Sequence, residues 1–196
     1  MIALMLPLRI IAAFNDFVLP VGRWIAGMLI GLMTAVILYQ VVMRYAFNAA
    51  PNWSEESARF MMLWMTGLIA PSGYRWGGFV AIDTVVRVLP RVAAGILSLL
   101  LLALGLTVLS VGLNIGISEV TGFAGRFTTA SLVVPLDMIG GESFKVPRSW
   151  MMLSLVVGIG LMIIVNIELM LKSLIRLIDP QAEIPEDTSA FAAGAE

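Results

Sequence analysis

Apolar residues follow one another along this chain in four long runs, and charged residues are almost absent from those runs. The runs cover 24–43, 60–74, 92–117 and 150–171. An α-helix rises about 1.5 Å per residue, so about twenty apolar residues cross a hydrocarbon core of ~30 Å. The second run is too short alone and must borrow residues from its N-terminal flank. The pattern therefore predicts membrane spans at about 24–43, 55–74, 92–117 and 150–171.

The predicted fold class is an all-α integral membrane protein, with four transmembrane helices in a single domain, 1–178, and short interfacial helices. The N-terminal MIALMLPLRIIAAF has no basic residue before its apolar stretch, so it is expected to be an amphipathic or interfacial segment rather than a cleaved signal peptide. A second interfacial helix is expected before Pro90. The connector 118–149 is expected to pack on the membrane surface or on a partner, and the acidic tail 179–196 to be flexible.

Composition supports this class and excludes several functions. Hydrophobic residues make up 60% of the chain and charged residues 13%, against about 45–50% and about 25% in soluble domains. The net charge of -1 gives no field that would attract nucleic acid. The chain has neither cysteine nor histidine, which excludes disulfides, thiolate metal sites and histidine-ligated haem. We therefore predict no catalytic site, no cofactor and no metal, and expect that the chain is not an enzyme.

The predicted spans carry almost no ionisable groups. The first three runs contain none, and the fourth contains only Glu168, one turn before its natural i,i+4 partner Lys172. Ionisable groups inside a bilayer usually mark ion pathways or substrate sites. If the chain takes part in transport, the translocation path is therefore expected to belong to another chain.

Two glycine pairs stand at the spacing that lets membrane helices approach closely. They are Gly27 with Gly31 in the first run and Gly112 with Gly116 in the third. Eighteen glycines in an apolar chain also produce such pairs by chance. Close packing and coincidence both remain open for these pairs.

The stretch RYAFNAAPNWSEESARF, between the first two runs, concentrates charge in an otherwise apolar region. Arg44 ends the first span, where the helix dipole favours a cation. Asn52 followed three residues later by Glu55 has the spacing of a capping box. The pattern predicts a helix end, a turn and a capped helix start at the membrane surface.

The two adjacent glutamates of this stretch need partners near lipid. Arg59 lies at i+4 from Glu55 and at i+3 from Glu56, and Arg44, across the turn, is a candidate partner for the second carboxylate. Adjacent helical residues point about 100° apart, which argues against a catalytic acid pair. Two interpretations stay open: a cap that anchors the helix, or a polar cluster that fixes the first two helices or docks a partner.

Basic residues indicate the orientation. With four spans both termini share one side, and seven of the lysines and arginines fall on that side against five on the other. Cytoplasmic loops carry the excess of basic residues, so both termini are expected in the cytoplasm.

The segment 44–90 resembles the small membrane subunit, the DctQ-type component, of tripartite ATP-independent periplasmic (TRAP) transporters, and a general resemblance covers about 14–178. The matching features are Arg44-Tyr45, Phe47-Asn48, Trp53, Glu55-Glu56, Arg59, Trp64, and Asp83 before Leu89-Pro90. Members often carry a histidine where this chain has Phe79, and the connector 118–149 looks long for the family.

The resemblance implies an accessory subunit of a sodium-coupled importer of organic acids in the bacterial inner membrane. The implied partners are a large polytopic membrane subunit, a periplasmic substrate-binding protein and membrane lipids. The small subunit would pack against the large one and enlarge its static scaffold, without forming the ion or substrate sites. Six residues are candidates for structural or partner-docking roles: Arg44, Trp53, Glu55, Glu56, Arg59 and Asp83. The alternatives are a self-associating channel, which the lack of polar lining disfavours, and a membrane enzyme subunit.

Overall fold

The computed structural model describes residues 2–49, 51–77, 90–134 and 144–179. Four helices account for most of them: α1 (Ile2–Ala46), α2 (Asn52–Gly77), α3 (Arg91–Thr121) and α4 (Ser149–Ile178). Between α3 and α4 lie a short 3₁₀ helix (Ala124–Arg126) and the strands β1 (Thr128–Val134) and β2 (Phe144–Pro147). Helix α4 packs against all three other helices, so it forms the centre of the bundle.

Three of the helices, α1, α3 and α4, are long and apolar enough to cross a membrane. Much of their surface is apolar and exposed, as expected of helices that face lipid. Helix α2 has a similar length but is not among these candidates, because its first two turns carry two glutamates and an arginine and Arg75 stands near its end. The chain is therefore a multi-pass, mainly helical membrane protein.

Helix α1 is much longer than the predicted first span, and the N-terminal segment expected to be amphipathic or interfacial is continuous with that span. One continuous helix includes both Pro7 and Pro20. Its first half carries a buried stripe with alternating steps of three and four residues, formed by Leu8, Ala12, Asn15, Leu19, Gly22 and Ala26. This stripe packs on α2 and α4, and such packing keeps the helix continuous where proline removes a backbone donor.

Helices α2 and α4 run parallel and touch backbone to backbone at glycine. A Cβ placed on Gly158 would lie 2.7 Å from the carbonyl oxygen and 2.9 Å from the Cα of Gly67, which no side chain could tolerate without a shift. A Cβ placed on Gly67 would collide with the carbonyl oxygen of Ser154. Small residues at both sides of this crossing therefore allow the close approach.

The two glycine pairs found in the sequence differ from each other. An added Cβ on Gly27 or Gly31 would meet nothing within 4 Å, so this pair packs against no described helix. On α3, a Cβ on Gly112 would lie 3.2 Å from Ile159, and one on Gly116 would lie 3.0 Å from Val156. Only the second pair thus faces a neighbour, α4.

The connector between α3 and α4 contains a β-hairpin, which the all-helical expectation did not include. Strands β1 and β2 pair antiparallel, with Val134 opposite Phe144 and an irregular register toward Thr128. The buried Thr129 donates its hydroxyl to the Val146 carbonyl at 2.8 Å. The hairpin packs on α2 near the N-terminal end of that helix.

Three predicted features lie outside the described residues: the interfacial helix before Pro90, with Asp83; Phe79; and the tail from residue 180 onward. The predictions made for them remain predictions.

Candidate functional site

Five polar side chains meet at the end of the bundle where the first half of α1, the end of α2 and the end of α4 come together. We call Asn15, Asp16, Arg75, Glu168 and Lys172 the buried ion network. Arg75 lies between the two acids: its Nη1 is 2.6 Å from Asp16 Oδ1 and its Nη2 is 2.7 Å from Glu168 Oε1. Lys172 Nζ is 2.7 Å from the same Glu168 oxygen, and the Asn15 amide donates to the other one.

Three of the four charged side chains in the network are almost completely buried. The side chain of Glu168 is 0% exposed, that of Arg75 1% and that of Lys172 8%, while Asp16 keeps 43% exposure. Two cations and two anions balance one another. Buried charges are tolerated only when paired in this way, and removing one partner leaves an uncompensated charge at a high cost. The geometry therefore gives these groups a structural role in joining three helices.

A neutral hydrogen bond extends the polar contact along α4. The Asn166 amide donates to the Tyr74 hydroxyl at 2.6 Å, and Asn166 is fully buried. Within the described residues, the side-chain oxygens of Asn15 and Asn166 have no hydrogen-bond donor. Helix α2 is thus held to α4 by both polar contacts and close glycine packing.

Arg23 lies on α1 beside this network but is not part of it. Its guanidinium stands 4.2 Å from the centre of the Trp76 ring, a cation–π contact between α1 and α2. Arg23 directly precedes the uncharged run of α1, and Arg75 directly follows that of α2. The charges of this region therefore gather where the apolar runs end.

At the N-terminal end of α2, Glu56 holds the β-hairpin. Its Oε2 accepts hydrogen bonds from the backbone N–H of Ser131 at 2.8 Å and of Leu132 at 2.9 Å. The Ser131 hydroxyl lies 2.8 Å from the same oxygen and 2.9 Å from the Asn52 carbonyl, so it donates to one or the other. One carboxylate thus fixes the connector to α2; we call this the hairpin contact.

The neighbouring carboxylate, Glu55, behaves as the spacing predicted. Its Oε1 is 3.1 Å from Arg59 Nη2, but both side chains are exposed, at 74% and 59%. The proposed capping box is wrong within the described residues, because α2 begins at Asn52 itself and Glu55 bonds Arg59. The expectation that Arg44 pairs with the second glutamate is also wrong, since Glu56 bonds the hairpin and Arg44 is exposed.

Of the remaining candidate residues, Trp53 contacts a different helix from the other described candidates. Trp53 stacks on Tyr39, with ring centres 6.1 Å apart and planes at 27°, which links the start of α2 to α1. Asp83 lies outside the described residues. The described candidate residues therefore do not form one site: Glu56 faces the hairpin, Trp53 faces α1, and Glu55 with Arg59 faces outward.

Sequence reasoning found the Glu168–Lys172 pair but missed the other members of the network. Asn15 and Asp16 are adjacent polar residues in an apolar segment, and Asn15 lies on the stripe of threes and fours, which was the available signal. Nothing local connects them with Arg75, because the contacts join residues 59 to 153 positions apart.

No group of acidic residues that could hold a metal ion occurs in the part of the chain that the structure describes. Long apolar helices, with buried charges that join one helix to another, define a multi-pass membrane protein. The chain belongs to the DctQ component family of the tripartite ATP-independent periplasmic transporters, whose family model matches residues 33–176. This is a family of transporter components rather than of enzymes. A search of curated proteins found no match.

Proposed function

We propose that this protein is the small permease subunit of a sodium-coupled, binding-protein-dependent importer of organic acids, and that it packs against the large membrane subunit and stabilises its scaffold. Family membership supports the place in a tripartite transporter. The observation that carries the scaffold role is the buried ion network, in which Arg75 and Lys172 both bond Glu168. The uncharged runs themselves offer no ionisable group to an ion or a substrate.

The proposal includes four spans in the bacterial inner membrane, with both termini in the cytoplasm. Helix α2 is the span that hydropathy does not support. The contacts of α2 with α4 support this span. Trp64 bonds the backbone of Trp150 near the start of α4, and Arg75 bonds Glu168 near the end of α4. A helix that follows a membrane-length neighbour in parallel over this distance is expected to cross the same bilayer.

The docking residues of the proposal are those found in the sequence: Arg44, Trp53, Glu55, Arg59 and Asp83, with Glu56 as the support of the hairpin. Exposure of Arg44, Glu55 and Arg59 supports this assignment. Replacing both glutamates by glutamine is expected to reduce assembly with the large subunit. Binding of the acid by the soluble partner should stay unchanged, which would separate assembly from substrate capture.

The test of the function is co-purification followed by uptake. A tagged chain expressed with its large membrane subunit should retain that subunit in mild detergent. Proteoliposomes containing both should take up the acid that the binding protein retains, only with a sodium gradient and all three components present. If the chain stays alone and gives a conductance by itself in a planar bilayer, the channel alternative replaces the proposal.

The topology can be tested separately because the chain has no cysteine. Single cysteines at Arg9, Arg126 and Arg176, all exposed, report which side each position faces. Four spans place Arg9 and Arg176 on the cytoplasmic side and Arg126 on the periplasmic side. If cysteines at positions 9 and 176 were labelled from opposite sides of the membrane, the chain would cross it an odd number of times, as with three spans. That result would contradict this part of the proposal.

A further inference from the structure

An open groove lies on α1 beside the buried ion network. Its lining residues are Pro20, Arg23, Trp24, Gly27 and Met28, and its volume is about 500 Å³. Sites for small ligands and cofactors usually occupy ~300–1,000 Å³. Trp24 is 75% exposed, and the Arg23 guanidinium lies on the Trp76 ring. The groove therefore combines a cation, an exposed indole and an apolar floor.

The charge in this groove is not balanced by the described residues. No carboxylate among them lies within ion-pair distance of Arg23. Asp16 and Glu168 are bonded to Arg75 and, for Glu168, also to Lys172. Arg23 thus adds one positive charge beside a network in which Arg75 and Lys172 already balance Asp16 and Glu168, and the charge of Arg75 acts unfavourably on Arg23. An anion at Arg23 would offset this excess.

The groove continues as a bare strip along the helix. Arg23, Gly27 and Gly31 follow one another at intervals of four residues, so they share one face of α1. An added Cβ on either glycine would meet nothing within 4 Å. The strip leads from the charged end of the apolar run toward its middle, which is the direction in which an acyl chain extends from its headgroup.

We infer that this groove binds an anionic phospholipid, with its phosphate on Arg23 and an acyl chain along Gly27 and Gly31. Basic pockets on membrane helices recognise anionic headgroups, and tryptophan gathers at headgroup depth. Arg23 stands where the uncharged run of α1 begins, and arginine side chains at the ends of apolar runs reach the membrane interface, where lipid phosphates lie. This position favours a lipid over a helix of a partner protein. The site belongs to this chain alone and does not depend on the proposed transport role.

The experiment is native mass spectrometry of the full chain in detergent, titrated with phosphatidylglycerol or with phosphatidylcholine of the same acyl chains. The wild type should retain phosphatidylglycerol preferentially. Arg23→Gln should weaken phosphatidylglycerol binding about fivefold, the usual weight of one basic side chain at an anionic membrane surface, and leave phosphatidylcholine binding unchanged. Arg23→Lys should keep most of the preference. Leucine at both Gly27 and Gly31 should weaken binding of both lipids, because it fills the strip.

Two control variants match these changes. Arg176→Gln removes an exposed cation from the last turn of α4, outside the groove, and Gly73→Leu adds a side chain where α2 is equally open. Both should bind lipid like the wild type, and all variants should elute as the wild type does on size exclusion.

Three results would overturn the inference. Arg23→Gln could bind both lipids like the wild type, or inorganic phosphate could compete as well as the lipid, which would indicate a soluble-anion site. Arg23→Gln could also release the co-expressed large subunit without changing lipid retention, which would assign Arg23 to a partner carboxylate.

Discussion

Two carboxylates at opposite ends of the bundle, Glu168 and Glu55, are held in different ways. At one end Glu168 is fully buried and bonded by Arg75, Lys172 and Asn15, side chain to side chain. At the other end Glu55 is largely exposed, and among the described residues its carboxylate bonds only its helical neighbour Arg59. The first arrangement joins three helices, and the second joins one turn of a single helix to the next. The position of a charge relative to the packed interfaces, and not its presence, therefore decides how much of the fold depends on it.

The largest effect is expected at Glu168. Replacing it by alanine leaves Arg75 and Lys172 buried with one fewer acid, which should cost roughly 3–5 kcal/mol of unfolding free energy or prevent the chain from accumulating. Unfolding in detergent and yield in the membrane measure this loss. Glu55→Ala is the control and should change neither by a comparable amount. Equal losses for both variants would contradict the comparison.

The next effect is expected where α2 and α4 touch. Gly158→Ala places a methyl group 2.7 Å from the Gly67 carbonyl oxygen, and overpacking against backbone costs about 1–3 kcal/mol. Thermal unfolding should show a lower midpoint. Gly160→Ala, two residues along α4, meets nothing within 4 Å and should unfold like the wild type. A normal midpoint for Gly158→Ala would mean that the helices do not approach so closely.

Fold and site differ in how far the sequence could predict them. Helices α3 and α4 were predicted to within a few residues at most ends because runs of apolar residues dominate them. The length of α1 was missed because two prolines and a break in hydropathy mark an end that tertiary packing overrides. The sequence carried a signal for the close approach of α2 and α4, since Ser154 and Gly158 are small residues four positions apart. The sequence does not show that Gly67 of α2 is the residue that packs against them.

The site was predicted where it is local and missed where it is not. The spacing of residues predicted the ion pairs of Glu55 with Arg59 and of Glu168 with Lys172, because helix geometry alone brings residues i and i+4 together. Spacing could not give Arg75 with Glu168, or Glu56 with Ser131, because those contacts depend on how distant elements pack. The stretch richest in charge therefore attracted the prediction, while the more deeply buried charges were dispersed along the chain.

A smaller and local effect is expected at the hairpin contact. Glu56→Ala removes the acceptor of the Ser131 and Leu132 amides, and hydrogen bonds to a charged group contribute about 1.5–3 kcal/mol each where water is excluded. Because this region is only partly buried, we expect faster hydrogen exchange at these two amides with little change in global unfolding. Glu55→Ala, one residue away, should leave their exchange unchanged. Unaltered exchange in Glu56→Ala would show that another contact holds the hairpin.

The smallest effect on stability is expected for Arg59→Ala. Its pair with Glu55 is exposed, and such pairs contribute about 0–1 kcal/mol. The unfolding midpoint should fall by little, and the difference from the wild type should shrink further in high salt. A loss as large as that of Glu168→Ala would mean that the N-terminal end of α2 is buried in the free chain.

Our expectation is that the buried charges of this chain hold a scaffold and take no part in transport. Its most direct test is sodium-driven uptake by the reconstituted three-component system, with Glu168→Gln and Lys172→Gln combined in this subunit. The double change removes one anion and one cation and leaves the Arg75–Asp16 pair in place. We predict uptake and sodium dependence like those of the wild type, per assembled complex. Normal assembly with uptake abolished would contradict this expectation.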